Sequence, residues 1–212
     1  RAVAIADGYK VIGTRDGLFL VNESTGTSRR FVKPEIASNI IFCITHVAPT
    51  YYIGTYNGGM YTLDPTTATI APFTLGEDAT TSTISVFAIV ADPHGDLWIG
   101  ASDGLHRLHD GREVARYTSL NSQLPDGNVY EIFFDSTGRG WICTENGMAI
   151  WDGSSLRTGH FPNGFVNGMK IRDIIEDREH NLYFAPDRGE IFKSNLELTE
   201  FGFIHSGVKD PV

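Results

Sequence analysis

Four carboxylates return at matching places along this sequence, and they are the first residues to weigh for chemistry. Asp16, Asp103, Glu145 and Asp187 each lie one or two residues before a glycine. Gathered on one face of a fold, such a set could hold a cation or act as acid and base in glycoside cleavage. The simpler reading is local. Asp16-Gly17 and Asp103-Gly104 are turn dipeptides, and Asn57-Gly58 and Asn146-Gly147 fill the same place without a charge. Sugar recognition asks instead for a flat aromatic surface plus polar groups that satisfy hydroxyls in a concave site. The residues near these turns that fit are Arg15, Tyr56, Glu145 and Arg188, with Phe165 on a neighbouring long loop. Arg and Tyr also carry much of the energy of protein–protein interfaces, so a protein partner accounts for them equally well. His46, His94, His106, His109, His160, His180 and His205 show neither HExxH nor a paired-ligand spacing, so no metal is assigned. No G-x-S-x-G elbow or phosphate-binding glycine loop is present, and no catalytic residue or cofactor is assigned.

The elements that position these residues repeat. KVIGTRDGL from Lys10, YYIGTYNGG from Tyr51, LWIGASDGL from Leu97, GWICTENGM from Gly140 and LYFAPDRGE from Leu182 are versions of one stretch. Its marker residues Ile12, Ile53, Ile99, Ile142 and Phe184 are 41, 46, 43 and 42 residues apart, and a glycine follows each by five. A fixed offset within an elastic period marks a structural unit with variable loops. Before each marker stands an alternating apolar run such as VYEIFFD (129–135) or IRDIIED (171–177), the pattern of a half-buried strand. In three copies a turn begins at an aspartate seven residues before the marker: Asp92, Asp135 and Asp177. After the Asp-Gly or Asn-Gly pair, which tolerates the positive φ of a tight hairpin, come a third and a shorter fourth strand. The reading is all-β: a β-propeller of five four-stranded antiparallel blades over 1–212, at about 1–34, 35–78, 79–122, 123–165 and 166–207. The ring is either a piece of a larger, seven-bladed one or closed at five. A middle strand must then be apolar on both faces, so Trp98, Trp141 and Trp151 are expected in blade packing. The small residues Gly13, Gly54, Gly100 and Ala185 mark close approach of backbones, and Cys143 replaces them as a small buried thiol.

Composition limits the partners. A net charge of −9 argues against nucleic acid or an anionic membrane surface, since both need clustered Lys and Arg. No window approaches 18 uninterrupted apolar residues, so no transmembrane helix and no membrane contact are expected. The chain opens at Arg1, as a mature or excised piece would. Cys43 and Cys143 fall in different repeats and form no disulfide framework.

LWIGASDGLHRL, preceded by VFAIVADPHGD, resembles the two-component regulator propeller repeat, as does YTSLNSQLPDGNVYEIFFDSTGRGWICTENGMAIWD. IGTYNGGMYTLD (53–64) is similar to a common variant of it, while Cys143 and FAPDRGEIF depart from the pattern. The resemblance covers essentially all of 1–204. It implies the periplasmic or extracellular sensory part of a hybrid histidine kinase of the gut Bacteroidetes type, which is anchored in the inner membrane. It further implies an oligosaccharide as ligand, no catalysis by this chain, and another propeller or a second copy as partner. The alternatives are an interaction propeller of a surface or secretion system and, ranked lower, a propeller glycosidase or lyase. In an open five-blade segment, Ala2–Ala6 and one face of the last blade lack neighbours, which predicts dimers or swapped assemblies, whereas a ring closed at five predicts a monomer.

Overall fold

The computed structural model describes residues 2–76, 83–158 and 168–195, together with the backbone of 201–204. Twenty strands among them form five four-stranded antiparallel sheets, each a meander in chain order. The chain divides into two compact units, Arg1–Tyr117 and Thr118–Val212. The first unit holds three blades. They are β1–β4 (Ala2–Ala6, Tyr9–Gly13, Leu18–Asn22, Ser28–Phe31), β5–β8 (Ile41–Val47, Thr50–Thr55, Met60–Asp64, Thr69–Phe73) and β9–β12 (Val86–Ala91, Leu97–Ala101, Gly104–His109, Arg112–Tyr117). The second unit holds two, β13–β16 (Val129–Phe134, Gly140–Thr144, Gly147–Trp151, Leu156–Thr158) and β17–β20 (Ile171–Glu176, Asn181–Pro186, Ile191–Asn195, Phe201–Ile204).

The second strand of each blade is the core. Every residue of β10 and β14 is buried, because these strands are covered on both faces. In the first unit Val11, Leu18, Leu20 and Phe31 of the first blade pack against Tyr51, Ile53, Tyr61 and Leu63 of the second. In the second unit Trp141, Cys143 and Met148 pack against Ile174, Leu182, Phe184 and Phe192. The small position after the marker is needed where blades meet: a methyl group on Gly54 would lie 2.5 Å from Cys43 Sγ and 2.7 Å from the Val86 carbonyl oxygen. Cys143 is fully buried at the equivalent place, and burial, with the charges of Glu131 and Asp173, pushes its thiol far up. It is inert packing.

The recurring aspartate has a double role. Asp92 Oδ1 accepts the His94 and Asp96 N–H groups at 2.8 and 2.9 Å, closing the turn, while Oδ2 accepts Trp98 Nε1–H at 3.0 Å. Asp135 does the same with Thr137, Arg139 and Trp141, and Asp177 with Glu179, Asn181 and the Tyr183 hydroxyl. The turn length is therefore fixed by the reach of one carboxylate from the turn to the core ring. The hairpins after the markers differ from expectation. In four of them the glycine alone takes positive φ, at Gly17 (117°), Gly104 (130°), Gly147 (111°) and Gly189 (104°). The residue before it (Asp16, Asp103, Asn146 or Arg188) does not take positive φ, whereas the longer second-blade turn uses Asn57 (48°) and Gly59 (72°).

Candidate functional site

The first strand of four blades carries a β-bulge at the same place. Ile41 pairs Thr55 but Cys43 pairs Gly54, leaving Phe42 as the extra residue. Phe87, Tyr130 and Arg172 occupy the same position in β9, β13 and β17. A bulge bends the strand and re-aims one side chain. Beside it stands the third residue after each marker: Tyr56, Ser102, Glu145 or Asp187. Its N–H is pinned to the carbonyl just before its own blade's first strand, at Ile40 (3.0 Å), Ser85 (2.9 Å), Asn128 (3.2 Å) and Lys170 (2.8 Å). A constant backbone frame thus presents a different pair of side chains in each blade.

In the first unit the pair is aromatic. The Tyr56 ring meets Phe42 edge-on with centroids 5.7 Å apart, and Phe42 lies 5.3 Å from Phe87. Tyr56 is 44% exposed, so the cluster ends in an accessible ring. Next to it opens a cavity of about 370 Å³ lined by Lys33, Asn39, Asn57 and Tyr56 among others. The Asn57 amide oxygen accepts the Ser85 hydroxyl at 2.8 Å, and Asn39 accepts the Lys33 N–H at 2.9 Å, which orients both amides.

In the second unit the pairs are charged. Lys170 Nζ lies 2.5 Å from Glu145 Oε2 and 3.6 Å from the centroid of the Tyr130 ring. Arg172 Nε donates to Asp187 Oδ1 at 2.6 Å, and its guanidinium stands 5.6 Å from the same ring. Hydrogen bonds from Lys170 and Tyr130 hold the Glu145 carboxyl below the usual range, and Arg172 does the same for Asp187.

No family model and no curated protein sequence matches the chain. Solved structures do. The extracellular domain assigned to a hybrid two-component system of B. thetaiotaomicron superposes with a TM-score of 0.75 at 21% identity, over 98% of this chain and 28% of that one. A virginiamycin B lyase from Staphylococcus aureus gives 0.72 at 15% identity, over 99% and 70%. PorZ, a surface component of the Porphyromonas gingivalis type-IX secretion system, gives 0.67 at 14%, over 94% and 33%. The fold is that of a β-propeller. The chain spans 27% or 28% of the length of the extracellular domains it superposes on.

Of the residues singled out by sequence, Tyr56 and Glu145 each stand beside the first-strand bulge of their own blade. Arg15 is exposed in the first blade's β2–β3 turn, whose Gly17 N–H donates to the Asn39 carbonyl at 2.8 Å. Arg188 is exposed beside Asp187, and Phe165 lies outside the described residues. The recurring carboxylates are each ion-paired: Asp16 with Arg30 (2.9 Å), Asp103 with Arg116 (2.5 Å), Glu145 with Lys170 and Asp187 with Arg172. Among the described residues no three potential ligands converge on a metal position. Burial would raise Asp103, but the hydrogen bond from His106 and the charges around it win and hold it low. Carboxyls held down in this way are poor proton donors at neutral pH. The bulge residues Phe42, Phe87, Tyr130 and Arg172 went unnoticed in the sequence.

One carboxyl behaves differently. Glu131, next to the Tyr130 bulge, is pushed up to about 7 by burial, with the Asp173 charge adding, against a hydrogen bond from the Ile132 N–H. The folded state therefore holds its proton more tightly than the unfolded chain does, so this group lowers stability as pH rises from about 4.5 to about 7. Glu131→Gln is expected to remove that slope, leaving the variant more stable than the parent at pH 8 and similar at pH 4. Urea midpoints at the two pH values measure it, and parallel curves would show an ordinary carboxylate.

Proposed function

We propose that residues 1–212 form one propeller domain that senses a ligand outside the cytoplasm without catalysis. In this reading it passes the event to a histidine kinase beyond this chain, as part of a hybrid two-component sensor. Glycan-derived oligosaccharides are the ligand class. The observation that carries this reading is the Tyr56–Phe42–Phe87 cluster, exposed at Tyr56, beside an amide-lined cavity that Tyr56 also lines: an aromatic face for the apolar side of a sugar, oriented amides for its hydroxyls. The likeness to extracellular sensor domains supports it. The test is calorimetric titration with a panel of oligosaccharide fragments. Saturable binding is expected, weakened about tenfold (about 1.4 kcal/mol) by Phe42→Ala or Tyr56→Ala. No saturable heat from any fragment, or binding indifferent to both substitutions, would remove the reading.

The charged rim of the second unit favours a protein-interaction role as the runner-up, in line with the likeness to PorZ. Tyr130 and Arg172 are residue types that anchor protein interfaces. A stable protein complex lost on Arg172→Ala, with no sugar binding, would put this reading first.

A further inference from the structure

We propose that the cavity beside Tyr56 takes the acidic group of its sugar, a carboxylate or a sulfate ester, and so selects anionic over neutral oligosaccharides. The inference rests on the reading of that cavity as a sugar site and names the class of sugar. All of its parts lie in the first compact unit, between the connection from β4 to β5 (residues 32–40) and the β6–β7 turn.

The hydrogen-bonding groups of the lining divide by type. Each side-chain amide or serine oxygen there is engaged within the protein. Asn39 Oδ1 accepts the Lys33 N–H at 2.9 Å, Asn57 Oδ1 accepts the Ser85 hydroxyl at 2.8 Å, and Ser38 Oγ accepts the Ile40 N–H at 3.3 Å. The main-chain carbonyls of Asn39 and Ile40 accept the N–H groups of Gly17 and Tyr56 at 2.8 and 3.0 Å. The amides cannot be turned round. A main-chain N–H only donates, so it fixes Asn39 Oδ1 toward Lys33, and Ser85 Oγ takes the Asn57 N–H at 3.0 Å while giving its own proton to Asn57 Oδ1.

The donors are left over. Among the described residues no acceptor takes the Nδ2–H groups of Asn39 and Asn57, the hydroxyl protons of Ser38 and Tyr56, or the Lys33 ammonium. Ser38 is itself only 7% exposed, so an unengaged hydroxyl there carries a cost that a bound acceptor removes. Charge points the same way. No carboxylate lines the cavity among the described residues, and the acids nearest to Lys33 in this blade are already taken: Glu35 pairs with Arg29 at 2.6 Å and Asp16 with Arg30 at 2.9 Å. In a chain of net charge −9, a cavity with a free cation, several free donors and no carboxylate matches a group that only accepts and brings negative charge. A carboxylate or a sulfate ester is such a group. The hydroxyl of a neutral sugar also donates, and for its proton this wall offers only acceptors already in use.

The experiment is calorimetric titration with matched sets of oligosaccharides. Each set holds a uronate-containing fragment, its carboxyl-reduced neutral form, and that neutral form sulfated at the new hydroxyl. In at least one set an acidic form is expected to bind about tenfold tighter than the neutral one or better, and to lose that margin as salt is raised. Whichever acidic form binds tighter identifies the source of the charge. Lys33→Met changes an exposed side chain and is expected to bring the acidic form down to the neutral one with unchanged circular dichroism, while Lys33→Arg retains the preference. Neutral forms that bind as tightly as the acidic ones overturn the proposal and leave the sugar site standing. So does an acidic preference that survives Lys33→Met, which would place the recognition of charge elsewhere. No saturable binding by any form in any set removes the sugar reading and this inference with it.

Discussion

Trp98→Ala and Trp141→Ala are each expected to lower the free energy of unfolding by about 3–5 kcal/mol, through lost transfer energy and the cavity left behind. Both rings are 0% exposed and sit in strands buried on two faces, where little can move in to fill the space. Each is also enclosed by specific partners. Trp98 stacks on Tyr117 with centroids 6.1 Å apart under the Arg107 guanidinium, and Trp141 meets Phe184 edge-on at 5.4 Å under Arg139. Trp→Phe at either site retains most of the ring but loses the indole N–H, and is expected to cost about 1–2 kcal/mol. The two sites lie in different compact units, and urea denaturation of each variant measures the loss at each. A midpoint unmoved by the alanine change would mean that the ring contributes no packing energy to its unit.

The blades could be read from the sequence because their constraints are local. In four of the five blades the glycine five residues after the marker answers a positive-φ position, and the Trp-Ile or Tyr-Ile pair answers a strand covered on both sides. The fixed distance from aspartate to marker was equally visible in Asp92, Asp135 and Asp177. Its cause was not, since nothing along the chain says that the carboxylate reaches the ring six residues on. The rim was legible only in part. Tyr56 and Glu145 could be found because they sit at a constant offset within the repeat. Phe42, Phe87, Tyr130 and Arg172 could not, because a bulge adds one residue without changing composition, and VFAIVA reads as a strand with or without it. The partners of the carboxylates were hidden for another reason. Arg30 and Arg116 lie two strands away from Asp16 and Asp103, and Lys170 comes from the blade after Glu145, so only tertiary structure brings them together.

Asp135→Ala is expected to cost about 3 kcal/mol, because it strands buried donors rather than merely removing an exposed charge. The side chain is fully buried, and its two oxygens accept from the Thr137 and Arg139 N–H groups, from Arg139 Nε at 3.0 Å and from Trp141 Nε1 at 2.9 Å. In the alanine variant the indole N–H faces a dry cavity and the turn loses the acceptor that closes it. Asp135→Asn retains an acceptor for the turn but presents an amide to at least one donor, so a smaller loss is expected. The two variants also separate charge from shape. Burial would raise the Asp135 carboxyl, yet the hydrogen bonds from Thr137, Trp141 and Arg139 outweigh it and leave it below the ordinary value. A carboxyl depressed in the folded state stabilises above its unfolded value of about 3.9, and that stabilisation is lost as pH falls through the folded value. Asp177, held down to about 2 by the N–H groups and side chain of Asn181, follows the same course in the last blade. Parent stability should therefore decline from about pH 4 toward pH 2, and more steeply than that of Asp135→Asn, which has no proton to take up at that site. Denaturant midpoints across this range measure the difference in slope. Equal slopes would show that the turn needs an acceptor at residue 135 but not its charge.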